Sequence, residues 1–139
     1  MKRLTVVGLT CLLSACESSL ADLRQAKADK VADFPSAAVD LSDCVHRAME
    51  AMDAPYAFRL NARPDKLEFF ITATRVSDAT TLREMAGLEL HFMAHGQTTT
   101  VEMRESAIGD HVLGRDTWSI IERCSQQVVV PPAASPTAP

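Results

Sequence analysis

Apolar and polar residues alternate along the middle of the chain, and this alternation predicts β-hairpins. The segments YAFRLNA and LEFFITA flank the loop RPDK at residues 63–66, where proline suits the second position of a type I turn. Folding about that loop is predicted to pair Leu60 with Phe69 and Phe58 with Ile71. Each apolar residue then meets another apolar residue across the hairpin.

A second pair of alternating segments follows, AGLELHFMA and QTTTVEMRE. A two-residue loop at positions 95–96 is predicted to pair Leu90 with Val101 and Leu88 with Met103. The four strands together predict an antiparallel sheet with one apolar and one polar face.

Helical periodicity comes before and after the hairpins. Apolar side chains recur at steps of three and four over residues 40–52, with Asp40 as the candidate N-cap and Pro55 as the stop. Asp116 is the candidate N-cap of a last helix, whose apolar sector includes Trp118. The order α-β-β-β-β-α predicts an α+β fold, a four-stranded antiparallel sheet with two antiparallel helices on one face.

The first sixteen residues have the pattern of an export signal. Lys2 and Arg3 precede a short apolar run, and small residues come just before Cys16, as in a secretory signal peptide. The run is far shorter than the ~20 residues of a spanning helix. The sequence LSAC resembles the lipobox of bacterial lipoproteins, which implies that residues 1–15 are removed and that Cys16 becomes the acylated N-terminus. The alternative is an ordinary signal peptide containing a chance cysteine.

This resemblance also implies a location. Glu17 follows the cysteine, and in the sorting of enteric lipoproteins an aspartate at that position favours the inner membrane. We therefore expect the periplasmic face of the outer membrane of a Gram-negative bacterium. The mature chain would have 12 basic and 18 acidic residues, a formal charge of −6. That charge disfavours nucleic acid and anionic headgroups, so the acyl chains are expected to provide membrane attachment.

Composition divides the mature chain into three parts. Residues 16–39 are polar and alanine-rich, which predicts a lipidated tether that is partly helical. Residues 40–129 are predicted to form a single α+β domain. Residues 130–139 are rich in proline and alanine, a composition typical of a disordered tail.

Two cysteines remain in the predicted domain, Cys44 and Cys124. An even pair in an exported chain predicts a disulfide, and antiparallel helices would bring the two positions together. Two buried thiols or half of a metal site are the alternatives, although no CxxC spacing supports zinc. The chain-entropy estimate for such a loop is ~4.5 kcal/mol, and native bridges usually contribute about 2–4 kcal/mol.

The remaining reactive side chains do not match a known catalytic sequence motif. His91, Met93 and His95 share a strand face with Glu89, a set of ligands that copper could use. Residues four apart on a strand are ~13 Å apart, however, too far for two imidazoles to chelate one ion. We therefore predict no metal, no cofactor, no catalytic residue and no enzymatic activity.

The polar face of the sheet is the remaining candidate site. Alternation points Phe70 and Met93 outward, where they could form a recognition patch or be covered by the tether helix or another loop. The predicted partner-binding residues are Phe70, Met93, Arg59, His91 and Arg104. The predicted function is a non-catalytic envelope lipoprotein, a protein-binding accessory subunit of an envelope assembly. The alternatives are a structural surface lipoprotein without a dedicated ligand, or a small metal-handling or hydrolytic periplasmic protein.

Overall fold

The computed structural model describes residues 19–76, 84–106 and 111–128. Cys16, the predicted signal peptide and the predicted tail lie outside these ranges. Within them the fold is α+β with an antiparallel sheet, as predicted. The elements are α1 (Leu20–Gln25), β1 (Lys30–Phe34), α2 (Ala38–Glu50), β2 (Ala57–Arg63), β3 (Glu68–Val76), β4 (Glu84–His95), β5 (Thr98–Glu105) and α3 (His111–Val128), with a 3-10 turn, Pro64–Lys66, between β2 and β3.

The sheet has five strands in the order β1-β5-β4-β3-β2, so the prediction of four strands is wrong. The additional strand, β1, comes from the segment predicted to be a tether, and it pairs antiparallel with β5. Phe34 is the one fully buried side chain of β1, and Val31 is exposed. Five residues with one buried aromatic give a weak alternating pattern, which explains why the strand is hard to recognise in the sequence.

Both hairpin registers differ by two residues from the prediction. Leu60 pairs with Ile71 rather than with Phe69, and Leu90 pairs with Met103 rather than with Val101. Each turn lies one residue later in the chain than expected. Because side chains alternate with a period of two, a shift of two residues leaves every side chain on its predicted face.

The turn geometry accounts for these shifts. Leu67 has a φ of 54° and closes the 3-10 turn, with its N–H donating to the Pro64 carbonyl at 3.3 Å. In the second hairpin His95 pairs with Thr98, and Gly96 has a φ of 68°. Glycine at the first central position of a two-residue loop is typical of a type II′ turn.

The core lies between the sheet and the two longer helices. Alternate strand residues and one side of each helix form a single buried cluster. It includes Phe34, Leu41, Val45, Met49, Ile71, Leu88, Leu90, Phe92, Val101, Met103, Leu113, Ile120 and Ile121. The predicted disulfide is present, and it joins Cys44 of α2 to Cys124 of α3 with 5.9 Å between the Cα atoms.

The helices differ from the prediction in position and in their first residues. Two antiparallel helices on one face were predicted, but the described residues contain three helices, and α1 contacts β4 and β5 through side chains on the side opposite the core cluster. The N-cap of α2 is Ala37, so Asp40 lies in the first turn and does not cap the helix. Asp116 lies inside α3, which begins at His111.

Candidate functional site

The candidate site is the outer face of the sheet, which we define as the side opposite the core cluster. Its side chains alternate with the core residues along each strand, and α1 lies across it. The residues used below are Arg59, Arg63, Glu68, Phe70, Thr72, Glu89, His91, Met93, Glu102 and Arg104.

A buried ion pair joins α1 to the middle of this face. The Glu89 side chain is only 1% exposed, and the Arg24 guanidinium donates three hydrogen bonds of 2.7 to 3.0 Å to its carboxylate. The Thr72 hydroxyl donates a longer bond of 3.4 Å. Hydrogen bonding to Glu89 raises the pKa of Arg24, which outweighs the opposing effect of burial. Arg24 therefore keeps the positive charge that arginine ordinarily carries in proteins.

Further contacts fix α1 to the sheet. Ser19 and Asp22 form a capping box at the start of the helix, and Leu23 is buried, with 3% of its surface exposed. After the last turn, Arg104 Nε donates to the Ala26 carbonyl at 3.0 Å. The segment predicted to be a tether is thus docked on the domain from Ser19 onwards.

Phe70 is covered by its neighbours. Only 7% of its surface is exposed. The His91 ring stacks on it with 4.3 Å between ring centroids and an interplanar angle of 8°. The guanidinium carbons of Arg24 and Arg63 lie 5.3 and 5.0 Å from the ring centroid, within cation–π range. Of the two alternatives for Phe70, an exposed patch and a covered side chain, the structure has the second, because alternation sets the face of a side chain but not what covers it.

His91 lies between two carboxylates. Its Nε2 is 3.7 Å from Glu68 and its Nδ1 is 3.8 Å from Glu102, distances that are too long for hydrogen bonds. His91 Nε2 is buried without a hydrogen-bond partner among the described residues. Glu102 also accepts a 2.6 Å bond from Arg104. The outer face therefore carries a network of alternating charges around one stacked ring pair.

The predicted residues divide into two groups. His91 and Arg104 belong to the charged network, and Met93, which is partly buried, lies opposite Glu68 in the β3–β4 pairing. Arg59 is elsewhere, on the edge strand β2, where it lines a shallow pocket of about 220 Å³ with Leu20 of α1. The structure thus brings Met93 and His91 together on the interior strand β4 and places Arg59 two strands away, on the edge strand β2.

Sequence reasoning missed the residues that organise the network. Arg24 belonged to a segment without a wide apolar face, and Glu89 occupied an outward position that is normally solvated. A carboxylate in the middle of a central strand, next to Phe70 on the neighbouring strand, is the signal that could have indicated a covered face. Glu68 and Glu102 flank His91, and their outward positions on alternating strands carry no signal that would single them out in the sequence.

Three wider findings bear on this site. Among the described residues, no group of three or more His, Cys, Asp or Glu side chains is placed to hold a metal ion. In the same ranges, no helix has the length and apolar character needed to cross a membrane. No protein family matches the chain, and no curated protein sequence resembles it significantly.

Proposed function

We propose that this protein is a non-catalytic lipoprotein of the cell envelope, held by acyl chains on Cys16 at the periplasmic face of the outer membrane. It acts as an accessory subunit of an envelope assembly by binding a protein partner. The support for anchoring is the order of charged start, apolar run, small residues and cysteine in the first sixteen positions.

The observation that carries the binding proposal is the environment of Met93. This flexible apolar side chain is partly exposed on the outer face, at the end that holds the two hairpin turns. Glu68 and Glu102, whose side chains are 26% and 24% exposed, lie beside it on the neighbouring strands. An apolar centre with a charged rim is the usual composition of a protein-binding surface.

The partner surface is expected to carry charges of both signs around an apolar centre, because Glu102 and Glu68 beside Met93 approach Arg104 at 2.6 Å and Arg63 at 4.0 Å. The site is also rigid. Met93 belongs to β4, which has a strand on each side, and the Phe70–His91 stack supports the strand surface next to it. A binding surface that is already ordered loses less conformational entropy when the complex forms. Phe70 therefore supports the site without contacting the partner.

The test is crosslinking in intact cells that express full-length protein, followed by purification and mass spectrometry. Met93→Asp is expected to remove one stoichiometric partner that the wild-type protein retains. Val39→Asp is the matched control, because Val39 is a 54% exposed apolar residue on α2, away from the outer face. Both variants should melt like the wild type.

The same experiment separates the alternatives. Retained capture by Met93→Asp would contradict the proposed surface. The absence of any stoichiometric partner would favour a structural lipoprotein without a dedicated ligand. Mass spectrometry of the mature N-terminus tests the anchor: an unmodified N-terminus away from Cys16 would refute it.

A further inference from the structure

We infer that the β2 edge of the outer face lies against the anionic headgroups of the membrane that holds the protein. This inference rests on the proposed acylation of Cys16. It assigns a surface and a chemical partner, phospholipid phosphate, to the edge strand that neighbours the Met93 region through the Arg63–Glu68 contact.

The direction of α1 determines where the chain leaves the domain. At its start, Leu20 lines a pocket with Arg59 and Asn61 of β2. In its last turn Arg24 reaches Glu89 on β4, and just after it the Ala26 carbonyl binds Arg104 of β5. The helix is therefore directed from the β2 side of the sheet towards β5, although its main contacts are with β4 and β5, and Ser19, where the described chain begins, lies at the end of α1 that faces the β2 side.

The length of that segment limits how far the domain can lie from the lipid. Ser19 is the N-cap of α1 and lies three positions after Cys16, a stretch that can span at most roughly 11 Å when fully extended. If α1 were released, the free chain would reach Lys30, the start of β1, and could span about 48 Å. Docking of α1 thus holds the β2 side of the domain near the membrane surface.

The charge of this edge fits a layer of phosphate groups. The strand β2 contains Arg59 and Arg63 and no acidic residue, in a chain with a net charge of −4. Arg59 is exposed, and the Arg63 side chain remains 50% exposed although it approaches Glu68 at 4.0 Å. Guanidinium groups are strong donors to phosphate oxygens. An overall acidic protein can therefore present a local basic contact next to its anchor.

The decisive measurement is paramagnetic broadening of backbone amides in the acylated, full-length, isotope-labelled protein. The protein is placed on nanodiscs of phosphatidylethanolamine and phosphatidylglycerol that contain a gadolinium-chelating lipid. We expect the amides of β2, Ala57–Arg63, to broaden several-fold more than those of α3, His111–Val128. Equal broadening, or stronger broadening of α3, would overturn the inferred orientation.

A charge reversal tests the headgroup contact. Arg59→Glu is expected to reduce the broadening of β2, whereas Arg115→Glu on α3 should leave it unchanged, because Arg115 is a 72% exposed arginine away from this edge. Equal effects of the two variants would refute the contact. The comparison is made on variants that melt like the wild type. If Arg59→Glu does not fold, the broadening of the wild-type protein still tests the inferred orientation.

The remaining outcomes distinguish the anchor from the orientation. A chain that carries no acyl group at Cys16 would refute the proposed anchor and this inference together. An acylated chain with uniform broadening would refute only the inference. Chemical-shift changes in β2 that depend on protein concentration without lipid would instead assign the edge to a second copy of this chain.

Discussion

Replacement of Arg24 by methionine is expected to lower the free energy of unfolding by about 2–4 kcal/mol. The variant would leave the Glu89 carboxylate, 1% exposed, with Thr72 at 3.4 Å as its remaining side-chain donor in the described network. Removal of one partner of a buried ion pair costs about 3–5 kcal/mol. Because the Arg24 side chain is 39% exposed, solvent screens the pair and we expect a smaller loss.

The reciprocal change should be milder. In Glu89→Leu the guanidinium of Arg24 can turn into water, and an apolar side chain fits the buried position, so we expect a loss of roughly 0–1.5 kcal/mol. The double variant should resemble Glu89→Leu. A double-mutant cycle is then expected to give a coupling free energy equal to the loss for Arg24→Met, about 2–4 kcal/mol.

Urea denaturation with the disulfide intact, followed by circular dichroism, measures all four proteins. The matched control is Arg47→Met, because Arg47 forms an exposed i,i+4 pair with Asp43 at 2.8 Å. That change should alter stability by less than about 0.5 kcal/mol. Equal and additive losses for Arg24→Met and Glu89→Leu would refute the reasoning, since they would show that the two groups do not interact across a buried contact.

Three further predictions concern other parts of the fold. Phe70→Asp should cost more than about 3 kcal/mol because the ring is buried, whereas Met93→Asp should change stability by less than about 1 kcal/mol; similar melting temperatures for both would contradict the covered position of Phe70. Replacement of Cys44 and Cys124 by alanine should cost about 2–4 kcal/mol in urea denaturation, since the bridge spans a sequence separation of 80, and an unchanged midpoint would argue against the bridge. Leu67→Asn should raise stability by about 0.5–1 kcal/mol, because Leu67 is exposed with a φ of 54° and asparagine tolerates that conformation; a loss would show that the leucine side chain contributes packing.

The sequence was informative wherever a local pattern is repeated. Alternation placed Leu60, Ile71, Leu90 and Met103 on the core face, although both registers were two residues away from the structure. The pattern fixes the face because side chains alternate with a period of two, whereas the position of the turn depends on single residues such as Gly96. An error in the turn therefore changed the pairing without changing the core.

Contacts between distant segments could not be predicted in this way. The pair Arg24–Glu89 joins positions 65 residues apart, and neither residue belongs to a motif. The strand β1 lies at an edge of the sheet and buries one side chain. One buried position is too few to show the alternation by which a strand is recognised in a sequence. The cysteine pair was predictable because the predicted export signal implied an oxidising compartment, in which an even number of cysteines favours disulfides.

The buried carboxylate also explains why the N-terminal segment adopts one position on the domain. Apolar contact through Leu23 alone could be satisfied at several places on a sheet, but Glu89 requires a charged partner at one place. Arg24 meets that requirement only when α1 crosses β4, which brings Leu20 to β2 and Ala26 to β5. An ion pair of this kind contributes little net stability relative to an apolar core. Its consequence is orientation: it covers Phe70, leaves Met93 partly exposed for the proposed partner, and sets the side of the domain on which the proposed anchor would lie.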